Sequence, residues 1–336
     1  MIRSLVRTMR QPLWGAAVML GLGCAFLAVV RELFILHVLT FVFIFTIYAQ
    51  SWNLVAHSGQ FSLGHAVFLG LGAYGSTLLS TRLGVPPALS LFLGPLLAAV
   101  VGLGIGALCR HLREVYLGMV TFGCSAIVQV LVVEQFAWLT NRWDGLTAPR
   151  LVPEGITIAR TADVNYLVGL VLMVGTYLVV AAIMRSRTGL AFVALHDNEL
   201  VASTAGINVV RYRLLAMMLG GYLAGLSGAL NGHTLTRHIE PGIFGLADSI
   251  WPMLYTIAGG LGTAEGPIIG TLVVRVLWEW VIRRLGGFES LILIGVLLAV
   301  VVIALPRGIY PMVARAAAWA TGGLAAKRAH LPQRQP

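Results

Sequence analysis

The chain has 336 residues, of which 58% are hydrophobic and 11% charged, with a mean hydropathy of +0.87. A water-facing surface cannot be built from that composition, so a soluble globular protein is excluded and a polytopic, all-α membrane protein is expected. The formal net charge is +10, but the cations flank apolar segments instead of forming one stripe, so topology and membrane lipids account for them and no nucleic acid partner is expected.

Arg3, Arg7 and Arg10 precede a first apolar run, 12–30, that lacks a small-residue cleavage site followed by a soluble domain. A retained helix with a cytoplasmic N-terminus follows. Cys24, Cys109 and Cys124 fall inside apolar runs without ligand spacing and are expected to be buried free thiols. Further runs at 33–56, 61–80, 86–109, 115–139 and 164–184 are each about long enough to cross a core of ~30 Å. This count returns the chain to the cytoplasm, in agreement with Arg110, His111 and Arg113 after the fourth run and with the Arg-rich break at 185–213.

The break 185–213 is polar, with Arg185 and Arg187 at one end and Arg211 and Arg213 at the other. Asp197 is placed to cap a short helix, Glu199 lies in its first turn where the macrodipole favours an anion, and Gly206 is a suitable terminator. Such a helix either docks a cytoplasmic partner or lies on the lipid headgroups. Runs at 214–233, 250–260, 267–282 and 291–305 bring the total to about ten transmembrane or partly inserted helices. Run 250–260 is short and leads into a glycine-rich turn with Gly259, Gly260 and Gly262, which predicts a broken segment. Residues 1–318 are read as one transmembrane unit and 319–336 as a basic cytoplasmic tail. The segment 140–163 falls outside by the count, despite Arg142, Arg150 and Arg160.

Between the second and third runs Asn53, His57, Ser58, Gln60, Ser62 and His65 cluster around Gly59 and Gly64. In hydrocarbon each polar group must find a partner or line a wet cavity, so these groups either face a solute path or satisfy one another in a packed hinge. Thr121, Ser125 and Gln129 recur at helical spacing on the fifth run and are further candidates for lining, or else bond back along their own helix. Arg275 and Glu279 stand one turn apart and read as a structural ion pair. His57, His65, His233 and His238 lack the supporting ligands of a metal site. No phosphate loop, HExxH or GxSxG motif is present, and few mid-span carboxylates are available for ion coupling, so an external energy source is expected over a secondary carrier or an embedded enzyme.

Four blocks carry a resemblance: NLVAHSGQFSLGHAVFLGLGAY (53–74), YLGMVTFG (116–123) with WDGLTAP (143–149), TGLAFVALHDNELVASTAGINVVRYRLLA (188–216) and GGLGTAEGP (259–267). In this order they resemble the branched-chain amino acid ABC importer permease family, the LivM-like subunit in particular. The resemblance implies the ABC importer permease fold in a bacterial inner membrane, with both termini cytoplasmic. It implies a second, related permease, two cytoplasmic ATPases and a periplasmic solute-binding protein as partners, with ATP and magnesium in the ATPases and no cofactor in this chain. The implied solutes are branched-chain or other amino acids, with urea or short-chain amides as the alternative. Asp197, Asn198, Glu199, Ala202 and Gly206 match the family's coupling segment, and Gln60, Ser62, Leu63, Gly64 and His65 match its GQxSLGHA signature. Ala126 and Gln129 stand where the family often has Glu and Arg.

Overall fold

A computed structural model describes residues 2–30, 32–110, 112, 114–152, 155–285, 295–296 and 308–312, almost all of them helical. Helices satisfy their own backbone, which is the condition for crossing hydrocarbon. The long elements are α1 (Ile2–Val29), α2 (Leu33–His57), α3 (Ala66–Arg82), α4 (Pro87–Leu108) and α5 (Glu114–Val130), which continues through a π-helical turn at Leu131–Gln135 to α6 (Ala137–Thr140). They are followed by α7 (Ile158–Met184), α8 (Arg187–Asp197), α9 (Glu199–Thr204) and α10 (Val209–Asn231), the last extended by a π-helical turn at Gly232–Thr236. Then come α11 (Leu246–Gly259) and α12 (Gly266–Leu285).

Among the described residues six stretches are long and apolar enough to span a membrane: Pro12–Val29, Leu33–His57, Pro87–Leu108, Tyr116–Gln135, Ile158–Met184 and Val209–Thr236. Among the described residues these six fall short of the expected total of about ten. α3 starts five residues later than the apolar run 61–80 suggests, because 58–65 is non-helical, and α11 is a 14-residue segment that starts at Leu246. The run 291–305 and the tail 319–336 lie outside the described residues, apart from 295–296.

α2 is the axis of the bundle. Every residue from Val42 to Ala56 is buried, as expected for a helix apolar all round, and α7, α10, α11 and α12 pack on it. α10 packs closely on α3 and α4 through small residues: a side chain at Gly72 would overlap the backbone of Gly225, and one at Gly228 the carbonyl of Leu69. Without a hydrophobic force between helices in lipid, association relies on van der Waals packing and interhelical hydrogen bonds, and such close backbone approach supplies the packing. α1 is peripheral and packs on α7, which leaves Cys24 exposed, contrary to the expected burial, whereas Cys109 is buried. The ends of the bundle differ. One, the loop end, carries α8 and α9. At the far end β1 (Leu146–Thr147) pairs antiparallel with β2 (His238–Ile239) and ties the 141–157 segment to the end of α10.

A test of the close contact is Gly72→Val, which forces α3 from α10 and is expected to destabilise by about 1–3 kcal/mol or more. Gly104→Ala, where no atom lies within 4 Å of the added carbon, serves as the control. Thermal unfolding followed by tryptophan fluorescence in detergent should show a lower Tm for Gly72→Val alone; equal Tm values would contradict the packing account.

Candidate functional site

Two non-helical breaks, 58–65 and 260–265, lie against opposite faces of the loop-end half of α2. The chain leaves α2 at Ser58, turns at Gly59 with φ +77°, and runs back along the helix. Trp52 Nε1 donates to Ser62 O at 2.9 Å, and Ser51 Oγ shares a 2.8 Å hydrogen bond with His65 Nε2, whose ring stacks on Tyr48. Tyr48 lies nine residues before His57, so at ~1.5 Å per residue the break climbs about 13 Å before α3 begins. Thr121 Oγ1 accepts from Leu63 N at 3.1 Å, and Ser249 Oγ accepts from Ala66 N at 3.1 Å. Gly64 sits so close to the Thr121 carbonyl that no side chain fits.

The second break uses the stripe formed by Gln50 and Asn53. Gln50 Nε2 donates to Ala264 O at 2.8 Å, while Asn53 donates to Thr263 O at 2.8 Å and accepts from Gly262 N at 2.9 Å. Gly260 and Gly262 have φ of +131° and +76°, and Gly259 packs against the backbone of Gly266 and Gly270. The sequence-predicted break is therefore present, with a reciprocal amide clamp on it.

At the loop end the candidate coupling segment is two helices. Asp197 ends α8, and the cap of α9 is Asn198, one residue later than expected: Asn198 Oδ1 accepts from Leu200 N and Val201 N at 3.0 and 3.1 Å. The Asn198 amide oxygen thereby satisfies two of the four orphan donors of the first turn. Gly206, at φ +85°, ends the helix with Ile207 N bonded to Ala202 O and Gly206 N to Ser203 O, the Schellman arrangement. Ala202 is buried, whereas Leu200 and Val201 are 72% and 62% exposed.

Glu199 points the other way. Its carboxylate accepts from Arg213 Nη2 at 3.1 Å, and Arg213 Nη1 donates to Arg110 O and Leu112 O at 3.1 and 3.4 Å. The carbonyl of Arg213 in turn accepts from Gln60 Nε2 at 3.0 Å. One buried residue, Arg213, 7% exposed, thus joins α9 and the Arg110 and Leu112 carbonyls through its guanidinium and the first break through its own carbonyl. A charge-assisted network of this kind is stronger than its neutral counterpart, and breaking it would leave a buried charge. Gly59 also abuts α8, where an added carbon would meet His196 Cα.

Of the candidate path residues, Asn53, Gln60, Ser62, His65 and Thr121 gather around α2. Ser125 and Gln129 are directed elsewhere: they donate to Phe244 O and Pro241 O at 2.8 and 2.9 Å, holding the 3-10 turn at Pro241–Phe244 before α11. Among the described residues Ser62 Oγ and His65 Nδ1 are buried without a hydrogen-bond partner. Arg275 and Glu279 form the expected i, i+4 pair at 2.8 Å, with the guanidinium 4.5 Å from the Phe41 ring centroid. Sequence reasoning used Arg213 for topology alone and passed over Gln50 and Ser249, whose partners lie about two hundred residues away, and Trp52, whose partner Ser62 is met only where the chain folds back along α2.

The model of the family described as "Branched-chain amino acid transport system / permease component" matches residues 34–305. The high-affinity branched-chain amino acid transport system permease protein LivM of Escherichia coli (strain K12) is 27% identical over 297 residues, covering 81% of this chain and 69% of the relative. LivM of Salmonella typhimurium is 26% identical over the same shares. The fructose import permease protein FrcC of Rhizobium meliloti is 26% identical over 244 residues, 66% of this chain and 63% of that one. No solved structure matches.

Asn53→Ala removes both arms of the amide clamp and leaves Gly262 N and Thr263 O without partners, a cost of about 1–3 kcal/mol. Hydrogen exchange of the amides at 260–265 should accelerate by about tenfold or more while that of α4 is unchanged. Equal exchange would show that the clamp does not hold the break.

Proposed function

The chain belongs to the branched-chain amino acid transport system / permease component family, and on that premise we propose that it is the LivM-like permease subunit of an ATP-driven importer for branched-chain or other amino acids. The two LivM relatives favour amino acids over the amide solutes that the sequence resemblance also allows. It is a multi-pass membrane protein. The membrane we propose is a bacterial inner membrane, with the loop end cytoplasmic and the far end facing the periplasm, in accord with the cations at 185–213. A second, related permease, two ATPases that bind ATP and magnesium, and a periplasmic solute-binding protein complete the proposed assembly.

The observation that carries the coupling role is the two-sidedness of α9. Leu200 and Val201 stand bare on its outer side, while Glu199 reaches inward to Arg213. An apolar face on a capped, stopped helix suits a cleft in an ATPase, and the ion pair supplies a stiff link from that face to the break at 58–65. Closure of the ATPases on ATP displaces α9; Arg213 carries the displacement to Gln60 and to the 110–112 connection. The breaks, held by side chains and not by helical backbone bonds, are the elements that such a displacement can rearrange. Asn53, Gln60, Ser62, His65 and Thr121 frame the path in this reading, and Ser62 Oγ and His65 Nδ1 are the atoms left to meet solute as it opens.

The two sides of α9 are separable by mutation. Leu200→Asp with Val201→Asp should cut co-purified ATPase at least about tenfold, as expected for the centre of a docking face. Glu199→Lys and Arg213→Met should retain the ATPase but abolish solute uptake into proteoliposomes. Undiminished uptake in all three variants would exclude the docking role.

A further inference from the structure

The far end carries charge that topology does not explain. Arg142, Arg150, Arg160 and Arg237 lie in far-end segments, where the positive-inside rule predicts depletion of cations. The fold brings two of them together: Arg150 and Arg237 line both of two adjoining clefts of about 250 and 300 Å³. The first cleft is walled by Leu33, Val152 and Ile156, with Asn165 and His233 at its polar side. Its size falls below the ~300–1,000 Å³ usual for drug-sized ligands and suits a solute of few heavy atoms.

The backbone that carries the arginines is fixed before any ligand arrives. Besides the β1–β2 pairing, Ala148 N donates to Arg237 O at 2.8 Å, Leu151 N to His233 O at 3.2 Å, and His233 Nδ1 to Pro149 O at 2.8 Å. His233 is itself fixed by Ser76 Oγ at 2.7 Å from its Nε2. Arg237 sits at φ +54°, a left-handed conformation that a side-chain-bearing residue adopts only when its surroundings impose it. Among the described residues neither guanidinium belongs to an ion pair, and Arg237 Nε is buried without a hydrogen-bond partner. The N-terminus of α7 opens on the same cleft, with no acidic residue in its first turn and no side-chain cap, so its partial positive charge is also uncompensated.

We infer that this cleft is a binding site for a small carboxylate with a short aliphatic body, held by Arg150 and Arg237 on the far side of the path. A guanidinium pairs two carboxylate oxygens at once, and the Leu33, Val152 and Ile156 wall takes the aliphatic part. The inference rests on the amino-acid reading of the solute. It gives the permease a site of its own, at the far end of α2 and distinct from the residues around that helix's loop-end half.

The test uses the assembled importer in phosphatidylcholine nanodiscs without its binding protein, with radiolabelled leucine in equilibrium dialysis. Saturable leucine binding is expected, with leucinol, which lacks the carboxylate, competing at least about tenfold less well, a difference of ~1.4 kcal/mol. Arg150→Gln and Arg237→Gln should each weaken leucine binding about tenfold, Arg237→Lys should recover part of it, and the exposed control Arg160→Gln should match the wild type. Co-purification of all subunits checks folding. Absence of saturable binding, or wild-type binding by both cleft variants, overturns the inference. So does a loss confined to binding-protein association, which would assign the arginines to an acidic partner surface, or to retention of phosphatidylglycerol, which would assign them to lipid. Wild-type proteoliposomes supply the separate control: import of leucine with normal binding in the variants defeats the cleft alone, whereas import of a neutral sugar and not of amino acids defeats both readings.

Discussion

A chain in hydrocarbon must satisfy its backbone internally, and this protein breaks its helices twice inside the bundle. The structure depends on how the loop-end half of α2 meets that cost. Gln50 and Asn53 serve the break at 260–265, while Ser51 and Trp52 serve the one at 58–65. Four adjacent residues on one helix thus replace the backbone bonds that two interrupted helices have given up. Burial of α2 on every side from Val42 to Ala56 fixes those side chains, since a well-packed interior leaves them few alternative rotamers.

The same arrangement explains how a force applied at the surface could reach the interior. A continuous helix resists bending, but a break held by three or four side-chain hydrogen bonds opens at lower cost. The first break contains Gln60, and Gln60 is bonded to the backbone of the residue whose side chain grips Glu199 on α9. α9 is short, capped at both ends and joined to the bundle through its charged side, so displacement of its apolar side is passed inward instead of being lost in a flexible loop. The far end is built differently: there the β1–β2 pairing and His233 lock the connections together.

Much of this architecture could be read from local sequence. Apolar length revealed the long helices, the polar cluster after Asn53 and the glycines at 259–262 marked the breaks, and Asn198, Glu199 and Gly206 carry signals of a helix start and stop that act within a few residues. The Asp197 cap was one position early because Asp and Asn are equally good caps and stand side by side; the choice fell to the residue with extended backbone, Asn198. What was not legible depends on distant partners. Arg213 looked like one of several membrane-end cations until its contacts with Arg110, Leu112 and Glu199 were known. Ser125 and Gln129 have the spacing of a pathway stripe, yet their hydrogen bonds go to carbonyls of the 241–244 turn, which no periodicity on α5 could disclose.

The central claim is that α9 and the first break move as one body through Arg213. Spin labels at Leu200 and Phe61, in an otherwise cysteine-free importer in nanodiscs, allow their separation to be measured by pulsed electron resonance with and without ATP and vanadate. The account predicts a narrow distance distribution that is the same in both states, and one that broadens when Arg213 is replaced by methionine. A large ATP-dependent change in that distance in the wild-type arrangement would contradict it.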